Sequence, residues 1–276
     1  MIYYRLLNIA RKLFPLRVLK IISQWHYSIM NLYRYGYPDF FYNLEVEIST
    51  ACNRRCTYCP NSKFDKGLLK NMKKMDIELF KKIVNELSEL KFIGRFHYHF
   101  YNEPLLDSRL VLLVQYVKTK CPKIRSVIVS NGEYLTVDMY KKLVQAGATE
   151  FFITEHSQKS FNNVRDILEY RKNAENDSAE FNSRKLEMLC NRGGLVEIEK
   201  KKRWKIKQCS RPSRCLQIDY EGNVILCCND YFSTVKFGNV KNEKLINIWN
   251  KREFKQLRKD IKNNIYNLEI CKKCTS

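Results

Sequence analysis

The chain has 276 residues, 45% of them hydrophobic and 29% charged, with 9 Gly and 6 Pro, a composition that can bury a core and excludes disordered, collagenous and low-complexity architectures. No run approaches the roughly 18 uninterrupted apolar residues of a membrane-spanning helix, and 11 cysteines in a chain of this length suit thiols kept reduced or bound to metal better than a secreted disulfide scaffold. The net charge of +21 fits RNA, a membrane surface, a phosphate-bearing substrate or a general bias toward Lys, Asn and Ile, and charge alone does not choose.

The first 36 residues carry no Asp or Glu. Ile2, Tyr3, Leu6, Leu7, Ala10, Leu13 and Phe14 recur at helical spacing with Arg5, Arg11 and Lys12 between them, Pro15 breaks the helix, and a second apolar stretch covers 16–22. Such a helix either lies on an anionic membrane or packs on the protein with its basic face in water, the ordinary role of an amphipathic helix. The segment lacks the apolar centre and cleavage site of a secretory signal, so a cytoplasmic location is expected, with peripheral membrane contact through 1–36 as the variant.

From Leu44 the pattern alternates: Leu44, Val46 and Ile48 against Glu45, Glu47 and Ser49, a strand. Further strands are expected over 95–101, 125–130 and 151–154. Between them, helices are expected over 77–90 capped by Asp76, over 108–118 opened by Asp107, and over 137–146 capped by Thr136. Strand alternating with helix implies right-handed crossovers and a parallel sheet, open or closed into a barrel. After Asn173 the rhythm weakens. The basic run Lys200, Lys201, Lys202, Arg203, Lys205 and Lys207 marks a link to a C-terminal module. There a hairpin turns at Glu221-Gly222 between 215–220 and 223–228, and a helix covers 245–261. Three parts result: a basic helical segment 1–43, an α/β body 44–199 and a small module 200–276.

Cys52, Cys56 and Cys59 fall just past the C-terminal end of the first strand, where parallel α/β sheets and barrels place their active sites. Three thiolates on one loop can hold a metal centre and leave one position open, whereas a structural zinc site normally closes with a fourth protein ligand nearby.

This C-x3-C-x2-C loop, with Tyr58 just before its last cysteine, resembles the signature of the radical S-adenosylmethionine enzymes. The resemblance implies a partial (β/α) TIM-type barrel. It implies that Cys52, Cys56 and Cys59 hold three irons of a [4Fe–4S] cluster and that S-adenosylmethionine chelates the fourth. One electron, from a donor such as flavodoxin or ferredoxin, then cleaves the sulfonium to a 5′-deoxyadenosyl radical that abstracts hydrogen from substrate. Tyr101-Asn102-Glu103-Pro104 stands where the family shows Gly-Gly-Glu-Pro, with both glycines replaced. Ser130-Asn131-Gly132 resembles its Thr-Asn-Gly, and Thr154 ends the fourth strand where ribose or carboxylate contacts fall. By the resemblance, Tyr58, Tyr101, Asn102, Glu103, Ser130, Asn131 and Thr154 seat the cofactor. Arg192, in Asn191-Arg192-Gly193-Gly194, can bind its carboxylate or a substrate anion, or belong to a plain turn. His156 can act on substrate or in proton transfer, or be a polar residue at a loop start.

The C-terminal module holds Cys209, Cys215, Cys227, Cys228, Cys271 and Cys274 and resembles the auxiliary-cluster modules of that superfamily, called SPASM, or twitch when shortened to one cluster. The shortened form implies a second [4Fe–4S] cluster on Cys209, Cys227, Cys271 and Cys274. Cys215 rivals Cys209, and a zinc site of four cysteines is the structural alternative. Cys121 and Cys190 stand alone, and a spare cysteine such as Cys190 can donate hydrogen to a product radical, as an epimerase requires. The expected substrate is a carbohydrate-like small molecule, dehydrogenated or epimerised, with peptide modification as the alternative. An RNA- or membrane-associated iron–sulfur or zinc protein is the reading from a different class, although nucleic acid is not the expected partner.

Overall fold

The computed structural model describes residues 16–174, 177–186, 189–199 and 208–275, with the backbone alone for 16–24. The helix expected over 1–14 and the basic run 200–207 lie outside them. The chain divides into two compact units, Met1–Phe40 and Phe41–Ser276. In the first, helix α1 (Leu16–Tyr35) is followed by Gly36, whose N–H bonds back to the Leu32 carbonyl at 2.9 Å. Tyr35 stacks on Phe40 with ring centroids 4.1 Å apart, and the Tyr27 hydroxyl donates to the Phe40 carbonyl.

The second unit is built on one eight-stranded sheet. Its first part alternates β1 (Asn43–Val46), α2 (Ile77–Glu89), β2 (Arg95–His97), α3 (Leu110–Lys120), β3 (Arg125–Ser130), α4 (Val137–Ala146), β4 (Ala148–Thr154), α5 (Gln158–Lys172) and β5 (Glu180–Arg184). The short α6 (Arg211–Arg214) leads into β6 (Cys215–Ile218), β7 (Asn223–Ile225) and β8 (Lys236–Asn239), then α7 (Leu245–Trp249), α8 (Arg252–Lys262) and α9 (Glu269–Thr275). The strand order is β5-β4-β3-β2-β1-β6-β7-β8. All pairs from β5 to β6 are parallel and the last two antiparallel. This is an α/β partial-barrel sheet extended by a C-terminal hairpin. The module is continuous with the body, because β6 pairs with β1 from Asn43↔Cys215 to Val46↔Ile218.

Local chemistry places the helices. The Asp76 carboxylate accepts the Glu78 and Leu79 amides, both at 3.0 Å, and Thr136 accepts the Met139 amide, so the first orphan N–H groups of α2 and α4 are satisfied. Their apolar faces cover the sheet: Phe80 meets Phe96 edge-on at 5.7 Å and Tyr140 meets Phe151 at 4.7 Å. The other face of β2 then carries Arg95, His97 and His99. At its N-terminal end the buried Glu150 is held between Arg95 and Arg125.

Several expectations shift. Asp107 does not open a helix at 108. Its carboxylate accepts the Arg109 amide and guanidinium, and α3 starts at Leu110. The second strand stops at His97 because the Asn102 side chain takes over the next backbone groups, accepting from the Phe100 amide at 2.8 Å and donating to the Tyr98 carbonyl. The helix expected over 245–261 is two helices, since Lys251 is extended (φ −56°, ψ 142°). The hairpin turns at Gly222, where φ is +90° and a glycine is needed.

In the C-terminal unit Phe254 is fully buried, stacks on Phe237 at 3.9 Å and meets Trp249 edge-on at 5.3 Å, with the buried Arg258 guanidinium 3.8 Å over the Trp249 ring. Truncating Phe254 to Ala leaves a cavity under three aromatic and cationic contacts. A loss of about 3–5 kcal/mol is expected, read as a lower denaturant midpoint; an unchanged midpoint would show that this cluster does not carry the fold.

Candidate active site

The loop with Cys52, Cys56 and Cys59 leaves β1 at its C-terminal end and is fastened on three sides. The Cys52 amide donates to the Gly67 carbonyl at 3.0 Å, and the Glu103 amide to the Ala51 carbonyl at 2.9 Å. Asn61, 1% exposed, donates to the Tyr101 carbonyl and accepts from the Tyr231 hydroxyl, both at 2.9 Å. One amide thus ties the cysteine loop to the end of β2 and to the C-terminal module. On the third side Asn53 accepts from the Asn131 side chain at 2.8 Å and donates to Glu133, which also pairs with Arg54 and accepts from Ser157.

Glu103, Ser130 and Asn131 come together beside this loop. The Glu103 carboxylate accepts the Ser130 hydroxyl and the Asn131 amide, both at 2.8 Å, and the Leu105 amide at 3.2 Å. Burial nonetheless raises its pKa to about 7, because desolvation outweighs these donors. The turn that follows needs Gly132: its φ is +77°, and a Cβ there would stand 2.7 Å from an Ile153 methyl. Asn102 spends its side chain on the backbone of 98–100 and on Ser49. Thr154 ends β4, and just beyond it a His156 ring nitrogen lies 3.0 Å from the Tyr58 hydroxyl. Burial and Arg54 lower the His156 pKa, so its imidazole is neutral near pH 7.

Arg192 adopts a left-handed backbone, φ +51°, uncommon for a side chain with a Cβ. Its guanidinium lies 5.7 Å over the Tyr101 ring, Nε has no hydrogen-bond partner, and the groups acting on it are Tyr101 and the thiols of Cys190, Cys228 and Cys59. The glycines after it serve a neighbouring helix: a Cβ on Gly193 would meet Ile270 at 2.6 Å, and the Asn191 side chain donates to the Lys273 carbonyl. The turn is therefore pressed onto α9, which carries Cys271 and Cys274.

Cys209, Cys227, Cys271 and Cys274, the expected second set, are neighbours, although among the described residues no group of three or more His, Cys, Asp or Glu side chains is placed closely enough to hold a metal ion. Cys209 and Cys271 act on Cys227, and Cys209 and Cys274 on Cys271. Asn229 points its amide at the Cys227 sulfur (3.4 Å) and its side chain at the Cys274 sulfur (3.1 Å); the Arg54 amide does the same for Cys52. Such N–H···S donors suit thiolates that bind an iron–sulfur cluster, and burial, which raises the Cys52 pKa to about 12, makes these thiols dependent on a metal to ionise. Cys215 sits at the start of β6, opposite Asn43 and beside Arg211. Cys190 lies beside the second set, 3.9 Å from Asn229 Oδ1. Cys121 is buried under the helices against the Val84 carbonyl.

The chain matches the radical SAM superfamily over residues 46–193 and the SPASM iron–sulfur cluster-binding domain over 209–275. This chain belongs to the radical SAM superfamily. It is 30% identical over 237 residues to the S-adenosyl-L-methionine-dependent 2-deoxy-scyllo-inosamine dehydrogenase of Niallia circulans, covering 86% of this chain and 93% of that protein. The crystal structure of BtrN with AdoMet and 2-DOIA matches with a TM-score of 0.75 and 30% identity, over 86% of this chain and 94% of that one. AnSMEcpe with bound AdoMet shares the fold at 15% identity, with a TM-score of 0.57 over 84% of this chain and 82% of that one. Membership brings a catalytic [4Fe–4S] cluster that works with S-adenosylmethionine, together with auxiliary iron–sulfur binding, to a radical oxidoreductase.

Sequence reasoning missed the tethers Asn61, Glu133, Asn229 and Tyr231, for which no spacing gives a signal. It also missed His97 and His99, although their alternation with Phe96 and Tyr98 was visible. Replacing Asn61 with Leu strands a tyrosine hydroxyl and a carbonyl, each worth about 1–3 kcal/mol when buried unpaired. Less iron retained per chain and slower 5′-deoxyadenosine formation are expected. Wild-type values for both would remove Asn61 from the support of the site.

Proposed function

We propose that this radical SAM enzyme oxidises a hydroxyl-bearing carbon of a cyclic polyol or aminocyclitol. Cys52, Cys56 and Cys59 hold the catalytic cluster and Cys209, Cys227, Cys271 and Cys274 one auxiliary [4Fe–4S] cluster, Cys215 being turned to the other end of β6. Bound there, cluster and S-adenosylmethionine supply a 5′-deoxyadenosyl radical as hydrogen-atom acceptor. Glu103 fixes the Ser130–Asn131 turn against the loop, Thr154 and the Tyr58–His156 pair border the next strand end, and Arg192 lies beside Cys59 of the first set and the spare thiols of Cys190 and Cys228.

The observation that carries the substrate class is a set of buried polar atoms with no hydrogen-bond partner among the described residues, three of the residues at alternating positions 97, 99 and 101: both ring nitrogens of His97, Nδ1 of His99, the Tyr101 hydroxyl, Oε1 of Gln217 and Nε of Arg192. Burial keeps both imidazoles neutral, so each offers one donor and one acceptor. Unpaired groups of this kind are costly, and a ligand rich in hydroxyls satisfies them where an apolar one would not. The dehydrogenase named above acts on a molecule of that kind. A low-potential one-electron carrier of the flavodoxin or ferredoxin class is the partner that the reaction needs.

Cys228 supports a second outcome for the substrate radical. It packs on the Tyr101 and Tyr231 cluster together with Cys59, and its nearest charges are Arg211, Glu45 and Arg192. A thiol there can give its hydrogen atom to a carbon radical and be restored by one electron and one proton from the same class of carrier, which inverts the carbon without oxidising it.

Anaerobically reconstituted enzyme with dithionite and 2-deoxy-scyllo-inosamine in deuterated water separates the outcomes. A ketone two hydrogens lighter supports oxidation, an isomer carrying one carbon-bound deuterium supports Cys228 as donor, and 5′-deoxyadenosine without change in any polyol offered would reject the substrate class. Cys56→Ala should abolish 5′-deoxyadenosine formation, and Cys271→Ala should remove about half the iron if each site holds a four-iron cluster; cleavage retained in the first or iron unchanged in the second would overturn that ligand assignment.

A further inference from the structure

Helix α1 carries an exposed apolar stripe. Trp25, Ile29, Leu32 and Tyr33 follow one another at i, i+4, i+7 and i+8 and so share one stripe. That stripe is the exposed one, with Trp25 68%, Ile29 58%, Leu32 54% and Tyr33 88% accessible. Less exposed positions of the helix carry polar groups: Asn31 is 7% exposed, Ser28 is half-buried, and Tyr27 and Tyr35 turn toward Phe40. Along the sequence the apolar spacing runs back through Val18, Ile21 and Ile22. An ordinary amphipathic helix hides this stripe and shows the polar one.

Charge identifies what covers the stripe. The 36 residues to Gly36 hold six Lys or Arg (Arg5, Arg11, Lys12, Arg17, Lys20 and Arg34) and no acid. An aromatic and aliphatic stripe with Trp and Tyr, flanked only by cations, matches the interface of a bilayer with anionic headgroups: apolar side chains enter at the headgroup boundary and the basic groups meet lipid phosphate. RNA would meet the cations and leave the stripe in water. Crossing is not at issue, since no described helix is long and apolar enough to span a membrane. The radical SAM match begins at residue 46, so α1 lies ahead of the matched catalytic region.

We propose that α1 seats this enzyme on an anionic membrane surface, lying in the interface plane on the Trp25–Ile29–Leu32–Tyr33 stripe. The enzyme then works where its polyol substrate or product is handled at the bilayer.

The test is co-sedimentation of the full-length holoenzyme with vesicles of phosphatidylcholine alone and of phosphatidylcholine with phosphatidylglycerol. Binding is expected to the anionic vesicles, much less to the neutral ones, and to weaken as salt rises. In Trp25→Asp with Tyr33→Asp, the vesicle partition should fall about tenfold or more for each large side chain withdrawn. Iron content and 5′-deoxyadenosine formation should stay at wild-type values, showing that the variant is folded. Wild-type enzyme left in the supernatant with anionic vesicles would overturn the proposal, as would equal sedimentation of the variant. A wild-type dimer that ignores vesicles and becomes monomeric in the variant, by light scattering, would assign the stripe to a second copy of the chain instead.

Discussion

The parallel pairing of β1 with both β2 and β6 is the constraint on which the site depends. It places the loop after β1, with its three thiols, between the end of β2, where Tyr101 and Glu103 sit, and the strand that leads into the C-terminal hairpin. Without the β1–β6 ladder the second thiol set would belong to an appendage. With it, Cys227 and Cys228 follow β7 in the same sheet. The Asn61 side chain completes the arrangement, holding loop, strand end and module through two hydrogen bonds. Few polar groups span so many elements, and such a group is costly to leave unpaired.

The charges of the site follow from that packing. Arg192 lies among thiols and tyrosines on a turn pressed against α9, and its strained backbone persists because Gly193 and Gly194 let that helix approach. In water a lone guanidinium needs no partner; among buried groups it needs negative charge. The thiols of Cys59, Cys190 and Cys228 lie around it and supply that charge when ionised. His97 and His99 respond in the opposite way. Burial and the nearby arginines keep them neutral, which makes them hydrogen-bonding partners for hydroxyls rather than charges.

The chemistry-bearing part of this fold was legible because it is local. Cys52, Cys56 and Cys59 are seven residues apart end to end, the strand before them alternates cleanly, and Asp76 and Thr136 cap the helices that their spacing suggests. The rest depends on contacts distant in sequence. Strand β5 escaped notice because the five residues Glu180–Arg184 contain one large apolar side chain, Phe181, too little for a period to show. The true end of β2 was hidden because Asn102, read as a replaced family glycine, uses its side chain on the backbone behind it. Likewise the glycines after Arg192 suggested room for a ligand, and the approaching group is a helix of the same chain. The sequence could not show what those residues face.

The basic N-terminus shows where composition stops being informative. Its charge was equally consistent with a general surplus of lysine, and its helical spacing with a helix packed in the usual sense. The proposed membrane seat rests on a different stretch, α1, where Trp25 and Tyr33 are exposed while Asn31 of the same helix is buried, the reverse of the usual amphipathic pattern. An isolated exposed apolar residue needs no explanation, whereas a continuous stripe does. The same reasoning applies in the sheet interior, where polar groups lie buried without partners. In each place the proposal follows from chemistry that the surroundings leave unsatisfied, a hydroxyl-rich ligand for the one and a lipid interface for the other.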